Sequence, residues 1–546
     1  MTGGLKKAVN FFQRWPWWGL VVAGILGGLV FFVFLGQTFW PQNIDWILAD
    51  GSDTFQHQIG WEFFRASPWV WPWGIIKNLN YPTGVSILYT DSLPLLAIIF
   101  KLIRQFLPSN FQYLGLWMFL CFVLQGMGGF LLMRLIKKDT ILDILGSLFF
   151  VLSPIIFQRA AGHTSLVSHF IILAALFLCL SRPTVLSAWR WGVVLVLAWL
   201  THPYIFFMIV PFWLVEQIRL YKSTSKKKLW RDNLILLVIL ILLSWSIGLT
   251  SGEGSADGFG DFSLNLNALV NPLGWSNFLP QLPIQEHQFE GFNYLGLGLI
   301  LLGIFSGSWL VIKRREVIIA LGKKFWPVFV VVLFLFFLAL SNKIYFNQHL
   351  IFSYSLPAII EKILNCVRSS GRLFWPVYYL LMIGALFSLR FFKKTTAIII
   401  ISLALVIQIT DLSVGLKEKR NSYSVKVKKF QSQTTFNQEY ETWKNLLANY
   451  QHVVILPYFN RYDMALSWAA AKNNQTFTAG AFARQPIGLN SFINNQVIKV
   501  CSGNFDSETA YLFFDNLYQC LPKLEKTTPS YSFNLVYKFL VLLPQK

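Results

Sequence analysis

WWGLVVAGILGGLVFFVFLG, running from Trp17 to Gly36, carries no charge and is followed by no small-residue cleavage site. It reads as a retained membrane helix rather than a removable signal peptide. Apolar runs of about 17–25 residues, the length needed to cross a hydrocarbon core of roughly 30 Å, recur from here to Ile409. A soluble core needs no such series.

The bulk composition agrees. Hydrophobic residues make up 55% of the 546-residue chain and charged residues 13%, and the mean hydropathy is +0.52. Soluble domains carry roughly twice that charge. A net charge of +21 could suggest nucleic acid, but the placement of the basic residues argues for topology. They bunch in short loops between apolar runs: Lys6, Lys7 and Arg14; Arg134, Lys137 and Lys138; Arg182 and Arg190; Lys222 through Arg231. Lys313, Arg314, Arg315, Lys323 and Lys324 follow, then Arg390, Lys393 and Lys394. Such clusters mark cytoplasmic loops.

With the N-terminus inside, a first span at about 17–36 delivers residues 37–86 to the outer face as a long acidic, Trp- and Pro-rich loop. Its SPWVWPWG stretch, Ser67 to Gly74, suits the membrane interface. Residues 87–106 are apolar but interrupted by Asp91 and Pro94 and end with Lys101 and Arg104. A full crossing there would put the basic loop Arg134–Asp139 outside, so a re-entrant or interfacial helix is expected. Further spans are expected near 113–133, 142–158, 164–181, 189–200, 203–220, 233–250, 293–312, 326–341, 374–390 and 396–413. The predicted class is therefore a mainly α, polytopic membrane protein of roughly 11–13 transmembrane helices, spanning residues 1–414. From about Gly415 the composition turns polar and the apolar runs shrink to strand length, as in His452–Phe459, Tyr511–Phe514 and Asn534–Leu543. Met464–Lys472 reads as a helix between strands. Residues 415–546 are expected to form a small extracytoplasmic α/β domain. Cys501 and Cys520 could pair there in an oxidising compartment, whereas Cys121, Cys179 and Cys366 read as packing residues.

Sorting charge by side locates the candidate chemistry. Acidic residues of the membrane part gather in the outer loops: Asp50, Asp53, Glu62, Asp91, Glu253, Asp257, Asp261, Glu286 and Glu290. The spans themselves hold almost none at mid-depth, which argues against ion-coupled transport and for a site at the outer surface. In the first loop, ADGSDTFQHQIGWEFFRASPW (Ala49–Trp69), a carboxylate just beyond a span can act as general base. The same Asp50, Gly51, Ser52 and Asp53 would also make a turn and cap the helix beginning near Phe55. At the next outer corner, in Ser153–Phe170, Arg159 and His163 can hold a phosphate or sugar oxygen, or meet lipid headgroups and cap a helix. In Val367–Tyr379, Arg368 and Arg372 stand on the outer side against the cytoplasmic charge bias, where an anionic ligand would explain them. His202, in the corner Thr201–Tyr204, and the stretch EGFNYLGLG (Glu290–Gly298) add polar groups on that side. No CxxC, HExxH or His-rich cluster suggests a metal site.

Taken together, these segments resemble the GT-C superfamily of integral membrane glycosyltransferases, and most of all the bacterial branch that includes YfhO-like proteins. The resemblance is one of architecture along the whole chain: an acidic first outer loop, many spans and a C-terminal outer α/β domain. It implies that Asp53, or next Asp50, is the catalytic base. It also implies that Arg372 and Arg368 bind the lipid phosphate of the donor, with Arg159, His163, His202, Glu62 and Asp91 as further substrate-binding candidates. Pro154 and Arg159 match the superfamily's Pro…Arg…acid pattern, but His163 stands where an acid would. That departure leaves a metal-dependent version open, and no cofactor is indicated. The implied reaction moves a sugar, with inversion, from a polyprenyl-phosphate donor to a glycan, lipid or protein acceptor. The site would face the periplasm or exterior of a bacterial inner membrane. A lipid or glycan transporter, and a non-catalytic polyprenyl-lipid-binding scaffold of envelope assembly, are the alternatives.

Overall fold

A computed structural model describes residues 16–36, 39–51, 53–160, 162–181, 187–253, 258–514 and 531–544. The expectations attached to Lys6, Lys7, Arg14, Ser52, Arg182, Asp257 and Cys520 lie outside these residues. The described chain is mainly helical with a small C-terminal sheet. Among the described residues, seven helices are long and apolar enough to cross a membrane: Trp17–Phe34, Leu114–Arg134, Pro203–Tyr221, Lys226–Ser246, Arg315–Leu340, Ser370–Phe391 and Lys394–Ser432. Four shorter apolar helices, Thr140–Val151, Thr164–Leu180, Ala188–Thr201 and Leu297–Lys313, occupy the remaining expected positions.

Local sequence explains the differences from expectation. The run expected at 142–158 breaks at Leu152 and Ser153, because Pro154 cannot continue the hydrogen-bond ladder and instead starts a new helix, Pro154–Arg159. Residues 87–106 fold as short turns around a nine-residue helix, Pro94–Leu102. At 1.5 Å per residue that helix is about 14 Å long, too short to span. The span expected at 326–341 begins earlier, at Arg315, and kinks at Phe325, just before Pro327. Asp143, Glu216 and Asp411 are carboxylates within the apolar helices, and each has a local partner. Asp143 pairs with Arg134 at 2.9 Å and Glu216 lies 3.8 Å from Arg219. Asp411 accepts hydrogen bonds from the Tyr294 hydroxyl (2.7 Å) and the Leu297 backbone N–H (2.8 Å), capping the N-terminus of the Leu297–Lys313 helix.

Contacts divide the chain into two compact units. The first comprises Met1–Pro41, Tyr113–Val238 and Ala256–Ser424; the second comprises Gln42–Gln112, Ile239–Ser255 and Val425–Lys546. In the first, Trp17–Phe34 packs on Leu114–Arg134 through paired glycines. A Cβ on Gly27 would lie 2.2 Å from the Phe122 carbonyl oxygen, and one on Gly126 would lie 2.2 Å from that of Ala23. Only glycine permits that approach, the small-residue logic of helix pairs in lipid.

The second unit joins the first outer loop to the C-terminal segment. Phe477 exchanges backbone hydrogen bonds with Asn78 and Asn80, Phe63 stacks on Phe477, and Tyr81 stacks on His452. The expected boundary at 414/415 is crossed by the single helix Lys394–Ser432. The sheet has strands β1 (His452–Leu456), β2 (Thr476–Thr478), β3 (Thr509–Phe513), β4 (Tyr531–Val536) and β5 (Phe539–Pro544), in spatial order β4-β5-β3-β1-β2. β1 runs parallel to β2 and β3; β5 is antiparallel to β3 and β4. The apolar run Asn534–Leu543 is thus a hairpin and not one strand, turning at Tyr537, whose φ of +54° is left-handed. Met464–Lys472 is helical, capped by Asp463 on the Leu466 N–H.

Candidate functional site

In the first unit, four sequence-flagged segments meet at one carboxylate. Pro154 fixes the first turn of a short helix whose last residue is Arg159. Arg372 sits in the 3-10 turn Ser370–Phe374, which leads into the Trp375–Phe387 helix. Between them stands Glu290, in the turn Gln288–Gly291. Its Oε2 accepts from Arg159 Nη1 at 2.7 Å and from both Nε and Nη2 of Arg372 at 2.8 Å. Arg159 Nη2 also donates to the Glu290 carbonyl at 3.2 Å. His163 Nε2 lies 4.0 Å from Oε1 and 3.4 Å from Arg372 Nη2.

Close backbone packing makes this convergence possible. A Cβ on Gly371 would fall 2.6 Å from the Gly291 Cα, so the two turns touch main chain to main chain. Beneath the arginines lie aromatic faces: the Arg372 guanidinium is 5.3 Å from the Tyr204 ring centre, and that of Arg159 is 5.7 Å from Trp375. His202 is buried as the N-cap of the Pro203–Ser223 helix, its Nδ1 accepting from the Tyr204 N–H at 3.1 Å. It therefore helps place Tyr204, whose hydroxyl accepts from the Ser369 N–H at 2.9 Å. Arg368 points elsewhere; it is exposed and lies 5.0 Å over Phe262.

Glu290, Arg159 and Arg372 are all nearly inaccessible to solvent. Burial alone would push the Glu290 carboxyl up. The charges and hydrogen bonds of Arg372 and Arg159 outweigh it and hold the group down at about 2. One negative and two positive charges leave a net positive centre, with the imidazole of His163 partly open to solvent. Such a centre can receive an anionic oxygen or keep two guanidiniums aimed at one point. The sequence offers Glu290 as one of the outer-loop acidic residues and as the first residue of EGFNYLGLG, without a role of its own.

The candidate base residues lie in the second unit. Asp53 is exposed in the first turn of the Asp53–Ala66 helix, where the helix dipole favours its charge. Asp50 ends the preceding helix, before a left-handed Gly51, and its Oδ1 lies 3.0 Å from Lys426 Nζ. Glu62, on the Asp53–Ala66 helix, is buried and pairs with Lys472 at 2.9 Å while accepting from Gln58 at 3.0 Å. Burial raises its carboxyl above the ordinary range, against the pull of Lys472 and Arg65. His57 on the same helix is fully buried, and burial lowers its ring to about 3, leaving it neutral near pH 7. Asp91 is half-buried in a left-handed turn, φ +54°. Among the described residues, no three His, Cys, Asp or Glu side chains gather as a metal site would require.

No curated protein matches the chain. Residues 442–536 match the DUF6311 C-terminal domain. Residues 24–413, well over half the chain, match the Domain of unknown function (DUF6311), and the chain belongs to that family.

Proposed function

We propose that this chain is a multi-pass membrane glycosyltransferase of the GT-C type, which moves a sugar from a polyprenyl-phosphate donor to an envelope acceptor. The reading is supported chiefly by the Arg159–Glu290–Arg372 centre with His163 beside it. It is a net positive cluster built on turns at the ends of apolar helices, the place where the phosphate of a membrane-held donor would be. Expelling a polyprenyl phosphate needs charge stabilisation more than protonation, and guanidinium groups supply it. Asp53, exposed at the start of its helix, has the solvent access a proton acceptor needs and takes the role of general base toward the acceptor hydroxyl. Displacement of a phosphate by an acceptor hydroxyl inverts the anomeric carbon. Asp50, which ends the preceding helix, is the second candidate for the base. The membrane is the bacterial inner membrane, with the chemistry on its outer side.

The test is a rescue in the native cell. The gene is deleted, wild type or Asp53→Asn is returned at equal membrane abundance, and surface glycans are compared by mass spectrometry. A sugar lost on deletion and restored only by wild type supports the transferase and names the sugar. Restoration by both forms removes Asp53 from the reaction.

A further inference from the structure

Outside the centre just described, the second unit contains a cavity of about 340 Å³ lined by Glu62, Arg65, Arg104, Ser109, Lys472 and Asn474. Glu62 is matched by Lys472 at 2.9 Å. The two arginines are left without a carboxylate within ion-pair distance among the described residues. They are nevertheless held side by side: Arg104 Nη1 donates to the Arg65 carbonyl at 2.6 Å and to that of Ser67 at 2.9 Å. Arg65 Nη2 donates to the Arg104 carbonyl at 3.3 Å, and its Nη1 reaches the Pro108 carbonyl at 2.7 Å. Both arginines line the one cavity, and two positive charges there favour an anion at its mouth. Among the described residues, Arg104 donates only through Nη1, so its Nε and Nη2 form the planar fork that suits a phosphate.

A second observation concerns the rim. Leu102 and Phe106, two residues to either side of Arg104, are 69% and 78% exposed, and Ile99 and Ile103 beside them are also exposed. Lys101, the one charged residue of that helix, is turned away from this face, with its ammonium 3.9 Å from the Phe64 ring centre and 4.5 Å from that of Trp69. An uncharged apolar ridge therefore adjoins a cationic cavity. A water-soluble anion would use only the cavity, and a neutral lipid only the ridge.

We infer that this part of the second unit binds an amphiphile with a phosphate-bearing anionic headgroup and an apolar chain, the headgroup at Arg104 and Arg65 and the chain along Leu102 and Phe106. Either a bilayer phospholipid or a polyprenyl phosphate has that chemistry. The inference does not depend on the transferase reading, since it uses none of the residues assigned to the donor phosphate.

The full chain in detergent is exposed to three probes with a diazirine in the chain: a polyprenyl phosphate, a phosphatidylglycerol and a phosphatidylcholine. Cross-linked peptides are then mapped by mass spectrometry. Anionic probes are expected to label residues 99–109, and Arg104→Gln and Phe106→Ser each to lower that labelling about tenfold, a change of about 1.4 kcal/mol. Labelling by one anionic probe alone identifies the source of the headgroup, and labelling by both assigns the shared chemistry. Equal labelling by phosphatidylcholine, or labelling unchanged in Phe106→Ser, overturns the inference. Because Phe106 is exposed, that second variant decides the matter should Arg104→Gln fail to fold.

Discussion

Glu290 has the most exacting environment of any carboxylate in the first unit, because three guanidinium N–H groups converge on one of its oxygens. Its folded-state pKa of about 2 lies below the ordinary glutamate value of about 4.3. A depressed carboxylate stabilises the fold above the unfolded pKa and loses that contribution as pH falls through the folded one. Thermal melting of the purified chain is therefore expected to be insensitive to this group near pH 7 and to drop progressively from about pH 4 toward pH 2. Glu290→Gln should flatten that part of the profile. It should also lower stability at pH 7 by about 3–5 kcal/mol, since two buried guanidiniums lose their counter-charge. A melting temperature in Glu290→Gln equal to wild type would mean that other groups neutralise the arginines. Asp53 makes the contrasting case. Asp53→Asn should lower the melting temperature far less than Glu290→Gln, since a first-turn charge contributes only about 0.3–1 kcal/mol, while slowing sugar transfer by about 10²–10⁴, read as polyprenyl phosphate released from a sugar-loaded donor.

Among the elements, the glycine contact between Trp17–Phe34 and Leu114–Arg134 leaves no room for a larger side chain. Gly27→Leu places a branched side chain where a carbonyl oxygen stands 2.2 Å from the added Cβ, so the helices must part. Lower recovery of folded protein in detergent is expected, measured by size-exclusion chromatography, while Gly307→Leu, where an added Cβ meets nothing, should behave as wild type. Helix positions were legible because length and apolarity are local properties: a helix stands at every expected span. What local pattern cannot carry is partnership. The composition change at Gly415 separates the two family matches, 24–413 and 442–536, but leaves no mark in local structure: one helix runs through it to Ser432 because nothing in that stretch breaks a ladder. Asn534–Leu543 read as one strand because its apolar run is broken only by Lys538, while the turn depends on Tyr537 taking a left-handed conformation that its identity does not announce. In the same way, Arg159, His163 and Arg372 were visible one by one as outer-side polar groups. Their convergence on Glu290 depends on turns distant in sequence and on Gly291 and Gly371 touching, which no single segment reveals.

For the molecule as a whole, the sidedness of its loops decides whether the proposed chemistry faces the exterior, and a native residue can report it. In the proposed orientation, the basic loops around Arg134–Lys138, Lys313–Lys324 and Arg390–Lys394 are the cytoplasmic ones. By alternation, the segment between Leu340 and Ser370 then faces outward. It contains Cys366, an exposed free thiol, whereas Cys121 and Cys179 are buried free thiols and should be inert to a bulky reagent. A membrane-impermeant maleimide is therefore expected to label wild type in intact spheroplasts, and Cys366→Ser to abolish that signal. A cysteine placed at Lys138 in the Cys366→Ser background should be labelled only after permeabilisation. If Cys366 instead reacts only in permeabilised cells, the segment carrying Arg368 and Arg372 lies inside. The donor would then have to present its phosphate from the cytoplasmic leaflet, and the acceptor would be a cytoplasmic molecule rather than a component of the outer envelope.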